Sequence, residues 1–282
     1  MKIREHQEGE IRYATGPHSL TDQSPRYVFI HGLAGSLDQW KLVIECLDGS
    51  AGFLAIDIPG FGGSSASHDT FGVDEAAELI VEFCRDKNLH NCVLVSHSIG
   101  CVVAGRVAST APEIFSRVVL VSGALDRASQ LAQRPTRAVE HPRLAFYVGA
   151  AFLTGIFPMP KSMLRALARH SMLRRVVLWP FVAKPARLDG SRLMETLDNT
   201  GSSSVLGVML GAGAIPHRDI LESILQPVDL IWGESDPLTS RDDIKVLRRQ
   251  VNLVRTEGVP GCGHWLWIEH PSAIARFLQS DK

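Results

Sequence analysis

Short apolar runs separated by helical patterns set the rhythm of this chain. The runs Arg26–Ile30, Phe53–Ile56, Val93–Ser96, Val118–Ser122, Val228–Trp232 and Asn252–Thr256 show little polar alternation, which predicts strands buried on both faces of a mostly parallel sheet. Ahead of them, Lys2–His6 and Glu10–Ala14 flank Glu8 and Gly9, the pattern of an opening β-hairpin. Between the runs, Leu37–Leu47 can form a helix. The stretch Asp74–Lys87 is amphipathic, with Ala76, Leu79, Ile80, Phe83 and Cys84 opposite Glu75, Glu78, Glu82 and Asp86. A closing helix is expected over Pro271–Leu278. Strands alternating with helices in this way predict an α/β fold whose ligands bind beyond the carboxyl ends of the strands.

From Arg127 to about Pro216 the rhythm changes. Strand-like runs stop, and patterns rich in Arg, Leu, Ala and Met replace them, broken by Pro135, Pro142, Pro158, Pro160, Pro180 and Pro185. The longest nearly apolar run, Leu144–Phe157, is shorter than the ~20 residues a membrane-spanning helix needs, so no transmembrane segment is expected. The polar N-terminus, Met1 to Glu10, does not read as a signal peptide.

With 282 residues, 45% of them hydrophobic and 21% charged, the chain can hold one large α/β domain with an insertion. A net charge of −1 argues against a nucleic-acid partner, but the charge is unevenly spread. Arg127 to Arg218 holds thirteen Lys/Arg against four Asp/Glu, a balance of +9, while the remainder carries −10. Cys46, Cys84, Cys92, Cys101 and Cys262 are odd in number and scattered, with no metal-ligand or disulfide spacing. Reduced thiols and a cytoplasmic location are expected.

The candidate chemistry centres on Ser96-His97-Ser98-Ile99-Gly100, which joins the run ending at Ser96 to an Ala/Val/Gly stretch that can pack as a helix. A tight strand-to-helix turn lifts its apex residue clear of the backbone, and only small neighbours fit two positions either side. It also aims the first free N–H groups of the helix at the space above Ser98, where a developing oxyanion would be stabilised. A hydroxyl needs a base to become a nucleophile. His264, flanked by glycines in Gly261-Cys262-Gly263-His264, stands out among eleven histidines for its place in a loop beyond the last strand run. An imidazole needs a carboxylate to hold its tautomer, and two follow strand runs: Asp236, just after the run ending at Trp232, and Asp126, beyond the Val118–Ser122 run. Glu234 is expected to face solvent, His97 to pack, and His270 to start the closing helix.

These motifs resemble the serine-nucleophile branch of the α/β-hydrolase fold family. The elbow usually reads Gly-x-Ser-x-Gly, with Ser96 here in place of the first glycine, and the order Ser98, Asp236, His264 is the family's order. His31-Gly32-Leu33 resembles the family's oxyanion loop, and the resemblance implies that the backbone N–H groups of Leu33 and Ile99 form the oxyanion hole. The Asp57-to-Ser64 loop matches a structural loop of the family rather than a phosphate-binding one. The resemblance further implies a core of 1–126 and 217–282 forming a doubly wound sheet, and a helical cap of 127–216 covering the site. It implies a serine hydrolase acting on an ester or thioester through an acyl-enzyme. Carbon–carbon bond hydrolysis, a lyase or eliminase reaction with the same triad, and a catalytically silent binding protein are the alternatives. No cofactor or metal is called for. An apolar cap predicts a small-molecule acyl substrate, and its positive charge is compatible with an anionic handle, an acyl group carried on phosphopantetheine, or an anionic membrane surface met by Arg165, Arg169, Arg174 and Arg175 with Leu144–Phe157 facing outward. The oligomeric state is open.

Overall fold

In a computed structural model, described for residues 3–16, 25–65, 72–123, 125–156, 159–202, 204–207 and 216–280, the apolar runs become the middle of an eight-stranded sheet. The strands are β1 (Arg4–Glu8), β2 (Ile11–Thr15), β3 (Tyr27–Ile30), β4 (Phe53–Ile56), β5 (Cys92–His97), β6 (Phe115–Val121), β7 (Val228–Gly233) and β8 (Leu253–Val259). They lie side by side as β1-β2-β4-β3-β5-β6-β7-β8, and β2 alone runs against the rest. Every residue of β3, β4 and β7 is buried, whereas β1 at the edge is exposed throughout, as expected where helices cover both faces of the central strands only.

The helices are α1 (Lys41–Glu45), α2 (Val73–Asp86), α3 (Gly100–Thr110), α4 (Asp126–Gln133), α5 (Pro142–Ile156), α6 (Lys161–Arg169), α7 (Ser171–Val177), α8 (Gly190–Leu197), α9 (His217–Glu222), α10 (Arg241–Leu247), α11 (Leu266–Glu269) and α12 (Pro271–Gln279). The amphipathic pattern at 74–87 is α2, and the closing helix is α12. Several prolines that interrupt the middle of the chain open helices instead of merely ending them: Pro142 is the first residue of α5, and Pro160 precedes α6. A missing N–H costs nothing there. Helices α4 to α9 all fall between β6 and β7. Lys2 of the expected hairpin, the link at 17–24, Phe157 and Pro158 lie outside the described residues.

Two expectations shift. The hairpin sits one to two residues later, with Glu8 paired to Ile11 and Gly9 at a positive φ of 55° in the turn. The Leu37–Leu47 helix splits into a 3-10 turn, Leu37–Trp40, and the short α1. Its start is shared by Ser36, whose Oγ accepts the Asp38 N–H at 3.3 Å, and by Asp57, whose Oδ1 accepts the Leu37 N–H at 2.5 Å, so a neighbouring loop joins the local cap in setting the entry.

Strand order reverses between β3 and β5, because the chain leaves β3 outward to β4 and returns to the far side of β3. In parallel sheets such a switch point opens a crevice at the carboxyl ends. The loops after β3 and β5 flank it. Behind them, the buried Asp57 carboxylate accepts from Arg12 Nη1 at 2.9 Å and from Gly63 N at 2.7 Å, besides Leu37 N. The Ser64 hydroxyl donates to the Asp57 carbonyl at 2.9 Å. Arg12 reaches on to Glu5 and Asp38, and Asp38 also accepts from Lys41 and Asn199. Burial alone would raise the Asp38 pKa, yet Lys41, Asn199 and Arg12 hold it below the ordinary carboxylate value. Asp57 is thus a structural anchor. Removing a buried charge partner strands the rest, so Asp57→Ala should lower the unfolding free energy by about 3–5 kcal/mol, read as the midpoint and slope of urea unfolding. A loss below about 1 kcal/mol would show that the loop is held by other contacts.

Candidate active site

The elbow follows from crowding. β5 ends at His97, α3 begins at Gly100, and Ser98 between them has φ of 56°, left-handed for a residue with a side chain. Such a conformation costs about 1–3 kcal/mol and persists only where the surroundings impose it. Here the Ser98 N–H donates to the Val121 carbonyl at 3.1 Å, the Ser98 carbonyl accepts from Cys101 N at 3.0 Å, and a Cβ at Gly100 would collide with the His31 carbonyl oxygen. Ser96, which replaces the usual small glycine, is fully buried and its hydroxyl donates to Val119 O at 3.4 Å. The added oxygen is accommodated by a bond to the next strand.

The strand ends bring the other candidates to Ser98. His264 Nε2 lies 2.8 Å from Ser98 Oγ, and His264 Nδ1 lies 2.9 Å from Asp236 Oδ2. The second Asp236 oxygen accepts from Leu238 N at 2.8 Å. Gly233 allows the two loops to meet, since a Cβ there would collide with the Gly263 carbonyl; Ser235 N donates to Cys262 O at 2.9 Å. All three side chains are buried. Asp126, the rival acid, is the first residue of α4, and its side chain lies outside the described residues. Glu234 is exposed and paired with Arg241, and His270 caps α12.

His31 shapes the loop after β3. Its Nε2 accepts the Ile58 N–H at 2.9 Å, so the proton sits on Nδ1, which donates to the Gly32 carbonyl at 2.7 Å. The Gly32 carbonyl and the Leu33 N–H belong to one planar trans peptide and point in opposite directions. Pinning the one therefore aims the other away from His31. Leu33 and Ile99 line a common cavity with Ser98 and His264. Burial, opposed by Asp57, lowers the His31 pKa.

His97 packs, as expected, and also acts on the backbone. Its Nε2 lies 3.1 Å from the His264 carbonyl, so it carries the proton, and the two rings are 4.8 Å apart. Burial first, and the neighbouring His264 second, push the His97 pKa well below its ordinary value.

Other contributors carry no motif. Tyr147, from α5, sets its ring edge-on to His264 at 5.0 Å, and burial raises its phenol pKa well above the usual value. Glu269 accepts from Gly263 N at 2.6 Å and from Ala183 N and Lys184 N at 3.0 and 3.1 Å, joining the histidine loop to the segment after α7. The shared cavity measures about 150 Å³ and is walled by apolar side chains such as Val148, Met159, Leu178, Phe181 and Leu197. No group of three or more His, Cys, Asp or Glu suited to a metal occurs among the described residues, and all five cysteines are free.

A family model described as alpha/beta hydrolase fold matches residues 25–271. Lipid droplet hydrolase 1 of Saccharomyces cerevisiae is 35% identical, over 94% of this chain and 78% of its own length. An esterase of Mycobacterium tuberculosis is 26% identical, over 91% of this chain and 82% of its own. Among solved structures, a thioesterase domain from the curacin biosynthetic pathway superposes with a TM-score of 0.69 at 20% identity, covering 99% of each chain.

Two buried neutral imidazoles give stability a defined pH dependence. The native values of His31 and His97 are depressed, so below the unfolded value of about 6.5 the unfolded chain binds more protons and stability falls as pH drops. The urea midpoint should therefore decline from about pH 7 to about pH 5. In His97→Gln, which keeps a donor and cannot titrate, the slope should be shallower by up to about 1.4 kcal/mol per pH unit. An unchanged slope would mean that His97 is not held neutral.

Proposed function

The chain belongs to the α/β-hydrolase fold family and is a hydrolase of its esterase, lipase and thioesterase kind, and on that premise we propose that it cleaves acyl esters through a Ser98–His264–Asp236 triad. The observation that carries this is the unbroken line from Asp236 Oδ2 through both ring nitrogens of His264 to Ser98 Oγ, with each contact under 3 Å. His264 Nε2 removes the hydroxyl proton as Ser98 Oγ attacks the carbonyl carbon. Asp236 holds the tautomer with the proton on Nδ1 and stabilises the imidazolium that forms. The N–H groups of Leu33 and Ile99 hold the oxyanion; one such donor is typically worth ~10²–10³ in rate. Collapse expels the alcohol or thiol with the proton from His264. Water, activated by the same imidazole, then releases the acid.

The substrate end of this reading rests on the cavity. A largely apolar cavity of about 150 Å³ beside Ser98 favours an acyl chain of moderate size. Helices α5, α7 and α8 and the segments between them supply about half of that wall, and residues 127–216 serve as the cap over a core of 1–126 and 217–282.

The test is hydrolysis of matched acyl chains presented as oxoester and as coenzyme A thioester, with Ser98→Ala as the blank. Ser98-dependent turnover of either is expected, and its preference assigns the leaving group. Labelling of Ser98 by a fluorophosphonate without turnover would move the chemistry to carbon–carbon cleavage or elimination. Folded protein that is not labelled would indicate a binding role. Asp236→Asn should reduce kcat by about 10⁴, and near-normal turnover in folded Asp236→Asn would transfer the acid role to Asp126.

A further inference from the structure

The walls of the cavity have an outer side. Helix α5 turns Leu144, Tyr147 and Val148 inward, and on its opposite face Phe146 and Leu153, one heptad apart, are exposed, Leu153 to 71%. Helix α7 sends Val177 to the cavity and exposes Met172 and Val176, followed by Trp179 at 56% exposure. Phe146 and Trp179 stack at 5.0 Å and 22°, which joins the two faces into one surface. Five large apolar side chains held outward on adjoining elements are more than the scattered exposure of an ordinary surface.

The charge around them has one sign. Residues 141 to 188 contain eight Lys/Arg and not one Asp or Glu. Seven are exposed: Arg143, Lys161, Arg165, Arg169, Arg175, Lys184 and Arg187. Arg143 lies one turn before Phe146, and Arg175 directly precedes Val176. On α6, Lys161, Arg165 and Arg169 recur every fourth residue and share a face opposite the buried Leu164 and Leu167. The eighth, Arg174, departs from the expectation of a surface charge. It is buried, and its Nη1 donates to the Leu167 and Ala168 carbonyls at 2.8 and 2.9 Å, closing the end of α6.

We propose that this face of α5, α6 and α7 docks on an anionic phospholipid surface, with Phe146, Leu153, Met172, Val176 and Trp179 entering the interface and the arginines and lysines meeting the headgroups. A second copy of the chain is disfavoured, because like-charged faces would be apposed. Trp, Phe and Leu interleaved along the chain with Lys and Arg is the composition of a surface lying in a bilayer interface; of the seven exposed cations, Lys161 lies 3.7 Å from Asp198 beyond this stretch. Each cation near an anionic leaflet strengthens binding by about five-fold. The same two helices line the cavity from within, so docking would bring the site one helix thickness from the lipid. No helix among the described residues is long and apolar enough to cross a membrane, and the proposed association is a peripheral, reversible one.

The experiment is flotation with vesicles of equal parts phosphatidylglycerol and phosphatidylcholine, against phosphatidylcholine alone, at low and high salt. The full chain carries Ser98→Ala, so binding is measured whether or not the proposed triad is right. Flotation is expected with the anionic vesicles, weakened by salt, with a blue shift of tryptophan fluorescence that Trp179→Ser removes. The pair Leu153→Ser and Trp179→Ser, and separately Arg143→Glu and Arg175→Glu, should each reduce binding at least ten-fold. Thermal midpoints of both pairs should match the parent, showing that they fold, and in the Ser98 background any short-ester turnover should be unchanged. Absence of flotation on anionic vesicles, or flotation indifferent to both pairs, overturns the proposal. Loss by charge reversal alone, with the apolar pair silent, also overturns it and points to an acidic protein partner. Flotation that persists in a protein with no esterase activity leaves the docking intact and removes only the triad reading.

Discussion

The close approach of Gly100 to the His31 carbonyl is the constraint on which the site depends. It sets the start of α3 against the loop after β3 and, with the bonds from Ser98 N to Val121 O and from Cys101 N to Ser98 O, holds Ser98 in its left-handed conformation. A looser contact would let the serine relax to ordinary backbone angles and drop its hydroxyl away from His264. The same contact places Ile99 and Leu33 on neighbouring strands of chain across the switch point of the sheet. The aim of the Leu33 N–H has a second cause, the bond from His31 Nδ1 to the Gly32 carbonyl.

Around that contact the loops at the carboxyl ends of the strands restrain one another in sequence. Asp57 ties the β4 loop to Arg12 and to the turn at Leu37. His31 ties the β3 loop to the β4 loop through Ile58. His97 ties the elbow to the backbone of His264, and Glu269 ties that backbone to the segment after α7. Apart from the Asp57–Arg12 ion pair, each link uses a buried or half-buried polar group whose partner is backbone. A backbone partner can be displaced only by moving a loop, so the positions of Ser98 and His264 are fixed by the sheet's own strand order.

Much of this was legible along the chain, because the decisive groups sit in runs where local pattern and geometry coincide. Val93–Gly100 has to be a strand, turn and helix whatever surrounds it, and glycines beside His264 mark a loop able to bend. Asp236 and Asp126 could not be ranked by pattern alone, since both follow strands of one parallel sheet; the structure brings Asp236 to His264. Tyr147 and Glu269 were not legible. Tyr147 is one aromatic in an apolar run, and Glu269 lies within four residues of helix, so their contacts arise only when α5 and the segment after α7 fold over the strand ends. Arg174 was misjudged for a related reason: four arginines in eleven residues look alike in sequence, and only the end of α6 distinguishes the one whose guanidinium closes it.

The run Leu144–Phe157 shows why periodicity weakens in this part of the chain. A surface helix normally shows one apolar stripe, because one side faces water. Helix α5 instead lines an apolar cavity with one side and exposes Phe146 and Leu153 on the other, so apolar residues occur nearly all round and the helical period blurs. Apolar surface of this kind would ordinarily favour self-association. The surrounding cations, unrelieved by any acid from 141 to 188, oppose it by mutual repulsion. The feature that made the stretch hard to read as a helix and the feature that made the chain's charge uneven thus fall in one stretch of the chain.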